Sequence, residues 1–448
     1  MKSLLFKSCL FFAACLGGTE FSLGQNPIIQ HTFTADPAPL VHGDTLYLYT
    51  GHDEDHTPKE HFIMYDYLCF STTDMVNWTA HAPVFDIRSL PHGGNANASQ
   101  AIYRNGKFYF YISPTGIVAL ESDNPYGPFK DALDGKLLIY PEMTNYKGHG
   151  WEDIDPTVFI DDDGQAYMYW GNNALYCVKL NEDMTSFSGD IVTFEIKDQS
   201  AFGSDFEEAP WVFKRNGIYY MLYAAHVPEH IYYTTSTSPL GPWKYGGVVM
   251  KAWAQGSMGN HPGVAEYKGQ WYFFYMNQDL PEGHEKRRAV NVIPFEFNPD
   301  GSIPELKHSK MGIVKGVSTL NPYKLTQAET IAWEEGIKVT ADEHRKVYVN
   351  QIEQNDFIRV RDVDFGRGAS FFEANVANGK GNGSIEIRLD SYGGRLIGCC
   401  KVDNAGSDGL WTTVKTKIEK VKGVHDLYFV FKGEGENLFD FDSWRFLK

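Results

Sequence analysis

The chain has 448 residues, of which 43% are apolar and 22% charged, and it carries a formal net charge of −17. That length calls for two domains or one large propeller or barrel, and the composition excludes intrinsic disorder. The negative charge makes nucleic acid and anionic membrane surfaces poor partners and leaves neutral polymers open. Aromatic residues make up 15%. They serve either a strand-rich core or flat platforms for a ligand such as a sugar.

At the N-terminus, Lys2 and Lys7 accompany an apolar run from Leu10 to Leu16, with the small residues Ser22 and Gly24 just ahead of Gln25. The run is too short to span a bilayer and reads as an export signal over residues 1–24, which makes the mature protein periplasmic or secreted. The alternative is a lipoprotein site at Ala13-Ala14-Cys15, with Cys15 lipidated and the protein held at the cell surface. No later segment is apolar enough to cross a membrane. Cys69, Cys177, Cys399 and Cys400 show no disulfide framework, and nothing marks an obligate protein partner.

From residue 25 to 322 one unit recurs: a polar start with a nearby proline, an apolar strand, a two-residue turn and an aromatic strand. The starts are Asp36, Ser99, Asp155, Glu208 and His261, spaced 63, 56, 53 and 53 residues apart. The turns are Gly43-Asp44, Asn105-Gly106, Asp163-Gly164, Asn216-Gly217 and Lys268-Gly269, mostly pairs that tolerate positive φ and close tight hairpins. Second hairpins follow in several units. Five strand-rich repeats with almost no helical periodicity predict a β-propeller of five blades, each of roughly four strands. In such a fold the starts of the innermost strands line one channel, so Asp36, Asp155, Glu208 and His261 should converge. Residues 323–448 instead alternate apolar and polar positions between glycine-rich turns, which predicts a β-sandwich of jelly-roll type packed on the propeller. The expected fold class is all-β throughout.

Asp or Glu beside a proline at a strand start is by itself an ordinary turn cap. Three carboxylates at equivalent repeat positions in one wet channel, however, supply the acid and the base that glycoside hydrolysis needs. The residues that carry this pattern resemble glycoside hydrolase family 43 over about 28–303. They are Thr-Ala-Asp-Pro-Ala-Pro at 34–39, Asp-Ile-Asp-Pro-Thr-Val-Phe-Ile-Asp at 153–161, Phe-Glu-Glu-Ala-Pro-Trp at 206–211, Gly-Asn-His-Pro-Gly at 259–263 and Arg-Arg-Ala-Val at 287–290. The resemblance implies an inverting enzyme with Asp36 as general base, Glu208 as general acid and Asp155 as the group that orients the acid and holds its pKa up. It further implies that Arg288 lies near Asp155 and the sugar, and that His261 helps hold a central structural Ca2+, directly or through water. Blade two departs from the family pattern, with Asn-Ala-Ser-Gln-Ala at 97–101.

The C-terminal segment resembles a family 6 carbohydrate-binding module. The matching motifs are Gln-Ala-Glu-Thr-Ile at 327–331, Asn-Asp-Phe-Ile-Arg-Val at 355–360, Gly-Leu-Trp-Thr-Thr-Val at 409–414 and Asn-Leu-Phe-Asp-Phe-Asp-Ser-Trp at 437–444. By that likeness Phe357 and Trp411 would flank a sugar, Asn437 would hydrogen-bond it, and Glu329 and Asp442 would help bind a second structural calcium. A core role for Phe357 is the competing reading. The expected activity is an exo-acting α-L-arabinofuranosidase on arabinoxylan or a related hemicellulose. A β-xylosidase and a catalytically silent glycan-binding propeller remain as alternatives. A retaining fructan hydrolase is disfavoured because Asp36 follows Thr34-Ala35 rather than an asparagine.

Overall fold

The computed structural model describes residues 25–448 apart from His92, 145–150, Asp205, 254–258, 378–382 and 403–409. The expected export signal and Cys15 lie outside the described residues. Nearly all regular structure is strand. Blade one comprises Phe33–His42, Thr45–Asp53, Asp66–Thr72 and Trp78–Ala80, and blade two Gln100–Arg104, Lys107–Ile112, Val118–Ser122 and Lys130–Asp131. Blade three comprises Thr157–Ile160, Ala166–Trp170, Tyr176–Leu180 and Phe187–Thr193, and blade four Phe206–Arg215, Ile218–Ala225, His230–Ser236 and Lys244–Met250. The first strand of each blade packs against the first strand of the next, and that of blade five returns to blade one, so five sheets close a ring.

Blade five departs from the four-strand expectation: its sheet has only Gly263–Tyr267, Gln270–Asn277 and Ala289–Phe295. The segment that leads into blade one takes the outer position. Ile28 N–H donates to the Val290 carbonyl at 3.0 Å, and the Asn26 side chain bonds both the N–H and the C=O of Val292 at 3.0 Å. Pairing the two ends of the propeller in one blade removes an open edge. Gly263 completes the closure, because a Cβ there would sit 2.4 Å from the Pro37 carbonyl of blade one.

The hairpin pairs behave as their chemistry requires. Asn105-Gly106, Asn216-Gly217 and Lys268-Gly269 take positive φ at both positions, the signature of type I′ turns. The aromatic repeat builds the core: Tyr49, Tyr111, Tyr169, Tyr223 and Tyr275 occupy one equivalent position in the five second strands and are fully buried. Each hydroxyl donates to a backbone carbonyl, of Pro125, Met184, Pro239, Phe202 and Ser309 respectively. The ring fills the space between blades and the hydroxyl satisfies a buried acceptor.

The C-terminal domain is a sandwich of two antiparallel sheets. One holds Lys338–Ala341, Val347–Asn350, Asp440–Leu447, Ala369–Ala377 and Thr412–Val421; the other holds Trp333–Glu335, Phe357–Asp364, Val424–Gly433, Gly383–Leu389 and Arg395–Val402. Ile358, Val360, Phe372, Ile385, Phe429 and Trp444 form its core. The domains are tied together. Thr330–Ile331 pairs with Trp78–Ala80 of blade one, and the Arg361 guanidinium donates to Gln25, Ile313 and Val314 at 2.6–2.8 Å.

Candidate active site

The channel is built by backbone irregularity at the strand starts. Asp36 and Asp155 adopt φ of 53° and 61°, and Ala209, next to Glu208, adopts 60°. The strand register slips between Ala35 and Ala38 and again between Glu208 and Trp211. A non-glycine residue at positive φ is uncommon, and such strained positions cluster at functional sites. The bulges aim Asp36 and Glu208 into the channel. The neighbouring Glu207 accepts from Asn173 instead.

Asp36, Asp155 and Glu208 act on one another electrostatically. Asp155 is pushed well above the ordinary carboxylate range, chiefly by burial and then by the charges of Glu208 and Asp36, against which the Ala209 N–H donates at 3.0 Å. Glu208 is raised mainly by burial, with Asp36 and Glu207 adding to the shift. Its Oε2 accepts from the Asn172 amide at 2.5 Å, and this bond and one shared with Glu229 partly offset the rise. Glu229 is 6% exposed and is held well above its usual range by burial and by the Glu208 charge. The two glutamates form a buried pair that retains a proton against rising pH.

Arg288 is buried beside Asp36. It clamps Asp53 through Nε and Nη2 at 2.9 Å and extends Nη1 to Asp36 Oδ1 at 3.0 Å. The expectation placed Arg288 near Asp155; its direct bonds go to Asp53 and Asp36, and its charge also acts on Asp155, where it lowers the pKa. His261 Nδ1 lies 3.9 Å from Asp36 Oδ1, and burial lowers its pKa to about 4, so the imidazole is neutral. Gly51 makes room for this group, because a Cβ there would meet Met64 Cε at 2.5 Å and Asp36 Oδ2 at 3.7 Å.

Four residues of the site were not foreseen: Asp53, Asn172, Glu229 and Gly51. Asp53, Asn172 and Glu229 lie at or just beyond the ends of second strands. In an up-and-down blade the loop from the second to the third strand returns to the face where the first strand starts. Polar residues in those loops were therefore a readable signal.

In the sandwich domain the expected pairing of Phe357 with Trp411 around a sugar is not formed. Phe357 is 2% exposed and packs on Tyr392 and Tyr428, because its strand is central in its sheet and the neighbouring strands supply aromatic cover. Trp411 lies edge-on to Tyr348 at 5.3 Å, with Lys346 Nζ 3.5 Å from its ring centroid. Asn437 is exposed in an irregular loop at φ 51°.

The calcium expectations divide by donor chemistry. Glu329 is 3% exposed, its Oε2 has no partner, and burial followed by the Asp442 charge raises it to about 8. An orphaned carboxylate oxygen beside a second carboxylate fits an oxygen-preferring cation, although Asp442 already pairs with Lys346 at 3.0 Å. His261 offers a nitrogen beside Asp36. Among the described residues, the group of three ligating side chains that converge on one point is His52, Glu54 and Asp66, which includes none of the expected ligands.

Comparison with known proteins decides what the channel belongs to. The model of glycosyl hydrolases family 43 matches residues 24–303, and that of carbohydrate binding module family 6 matches 327–448. The chain belongs to glycosyl hydrolases family 43. It is a glycoside hydrolase joined to a carbohydrate-binding module. It is 32% identical to an arabinoxylan arabinofuranohydrolase of Bacillus subtilis (strain 168), over 99% of this chain and 97% of that protein. It is 28% identical to a xylosidase/arabinosidase of Humicola insolens over 62% of this chain and 98% of that one. The crystal structure of a family 43 arabinoxylan arabinofuranohydrolase from Bacillus subtilis in complex with cellotetraose superposes with a TM-score of 0.84 at 31% identity, covering 95% of this chain and 98% of that one. A calcium-free β-xylosidase/α-arabinofuranosidase from a compost metagenome, in complex with xylotriose, matches 63% of this chain and 96% of its own at 29% identity and a TM-score of 0.56.

Proposed function

We propose that this family 43 enzyme removes α-L-arabinofuranosyl groups from arabinoxylan, acting on terminal sugars with inversion of the anomeric centre. The observation that carries the reading is the asymmetry of the channel: one carboxylate, Asp36, accepts from a permanent cation, while Glu208 lies in a buried proton-holding pair. General acid catalysis needs a proton at the leaving oxygen, and the buried pair of Glu208 with Glu229 retains one. Asp36 takes the complementary task of accepting the proton of the attacking water. Asp155, buried and accepting from the Ala209 N–H, orients the acid. Glu229 and Asn172 position the Glu208 carboxyl. Arg288 fixes Asp36 and, lying beside it, is placed to bind the sugar.

Similarity to arabinofuranohydrolases along nearly the whole chain supports the substrate assignment. Relatives with both xylosidase and arabinosidase names keep β-xylosidase as the second reading. Hydrolysis of nitrophenyl α-L-arabinofuranoside and nitrophenyl β-D-xylopyranoside separates them: the first should be turned over in clear preference, and a preference for the second would overturn the assignment.

Glu329 and Asp442 are the residues that would hold structural calcium in the sandwich domain, where the ion would neutralise a buried carboxylate. At the channel, His261 would take part through water. Trp411, with Asn437, is the platform by which the sandwich domain would hold polysaccharide. The positively charged, apolar N-terminus supports export to the periplasm or medium. No helix among the described residues is long and apolar enough to cross a membrane.

A further inference from the structure

We infer that the cleft between the two domains is a second sugar site, which holds the neutral main chain of the polysaccharide while its side group enters the catalytic channel. This rests on the arabinoxylan reading above and deepens it. The cleft encloses about 730 Å³, within the range of pockets that bind small ligands. One wall is the segment that crosses from blade five to blade one, carrying His31 and Phe33, together with the loop at Leu280. The other wall is Trp333–Lys338 of the sandwich.

Its chemistry is that of a carbohydrate site. Trp333, half-buried and packed on Phe357 and Tyr428, supplies an aromatic face, and Phe33, buried under Arg287, lines the other wall. His31 and Glu334 are 8% and 5% exposed, yet His31 Nδ1 and Glu334 Oε2 have no hydrogen-bond partner. Buried polar atoms without partners are rare because they forgo solvation with nothing in return. A sugar hydroxyl both donates and accepts, so a chain of them could satisfy both atoms. Burial lowers His31 to about 3 and raises Glu334 to about 8, so both present neutral groups in mildly acidic solution.

Charge narrows the occupant. The cleft also carries Asp55, Asp279 and Glu282, and its one cation, Lys338, is already paired with Asp55 at 2.9 Å. An anionic ligand is repelled, and a neutral polyol is not. Position narrows it further. Phe33 is three residues ahead of Asp36 on the same strand, about 10 Å at the strand rise, and it pairs in register with Asp53, which clamps Arg288. The cleft wall and the channel thus share the first strand of blade one, which places the main chain of a polysaccharide beside the cleft when its side group enters the channel.

The test uses the full chain carrying Trp411→Ala, so that the expected platform of the sandwich domain is silent. Binding of unsubstituted xylohexaose is measured by calorimetry, with and without Trp333→Ala or the near-isosteric Glu334→Gln. Adding either change should weaken xylohexaose binding roughly tenfold, the loss expected when an aromatic contact or a buried hydrogen bond is removed. In the otherwise native enzyme, each should raise KM on soluble arabinoxylan by a similar factor and leave kcat/KM on nitrophenyl arabinofuranoside unchanged. Unchanged xylohexaose binding in both variants would overturn the inference. Equal losses on polymer and nitrophenyl substrate would overturn it too, because they indicate a structural role. If the native enzyme releases no arabinose from arabinoxylan, the substrate reading fails, and the xylohexaose measurement still decides the cleft.

Discussion

Arg288 joins Asp36 to the rest of the fold: its Nη1 lies 3.0 Å from Asp36 Oδ1 while Nε and Nη2 grip Asp53, a carboxylate with no solvent exposure. The position of Asp36 is therefore set by a chain of two ion pairs that starts in blade one, crosses to blade five and returns; in the proposed mechanism this chain also places the attacking water. Breaking a buried pair by removing one partner is costly, about 3–5 kcal/mol.

Asp53→Ala should lower the midpoint of thermal unfolding and cut kcat by on the order of 100-fold, the scale of an ångström-level misplacement of a reacting group. Circular dichroism melting and steady-state kinetics check both effects. A variant with native kcat would show that Asp36 does not depend on this clamp.

Glu229→Gln tests the proton-holding pair. With two carboxyls buried together, the pair keeps one proton to higher pH than either group would alone. Replacing Glu229 leaves a single ionisable carboxyl where two shared a proton, so the last proton of the site should come off at lower pH. The basic limb of the kcat/KM profile should move to lower pH while the acidic limb stays in place. An unmoved basic limb would contradict the pairing.

Channel convergence was legible because equivalent positions in a repeat share an address, and Asp36, Asp155 and Glu208 do act on one another. The three-stranded fifth blade was not legible: its closure depends on Asn26 and Ile28, which precede the first repeat and carry no strand-like alternation. The abundance of aromatic residues could be read two ways, and the five buried tyrosines show how much of it goes into the core. Phe357 was ambiguous for a related reason. A phenylalanine at the start of a strand looks the same whether its outer face is bare or, as here, covered by Tyr392 and Tyr428.

Calcium should stabilise the protein in a pH-dependent way through Glu329. Its carboxyl is raised to about 8 in the folded chain without an ion. A carboxyl raised on folding contributes its stability below the unfolded value, near 4.3, and that contribution is lost as pH rises through about 8. A cation must displace the proton at low pH but meets an ionised oxygen at high pH. Added calcium should therefore raise the unfolding midpoint more at about pH 8 than at about pH 5, and Glu329→Gln should abolish the difference. A calcium effect that is independent of pH and survives the substitution would place the ion elsewhere.

Trp411→Ala should reduce retention on insoluble xylan and leave turnover of nitrophenyl arabinofuranoside intact, because the ring lies on the sandwich domain, outside the channel. Pull-down and kinetics measure the two separately. Unchanged retention would remove this platform from the account.

Stereochemistry tests the division of labour between Asp36 and Glu208 most directly. If Asp36 activates a water while Glu208 protonates the leaving oxygen, the anomeric carbon is displaced once and its configuration inverts. Proton NMR of a reaction followed from its first minutes should show the sugar released with the anomeric configuration opposite to that of the substrate, before mutarotation mixes the forms. Release of the same anomer, or a covalent glycosyl adduct on Asp36, would make Asp36 a nucleophile and contradict the account.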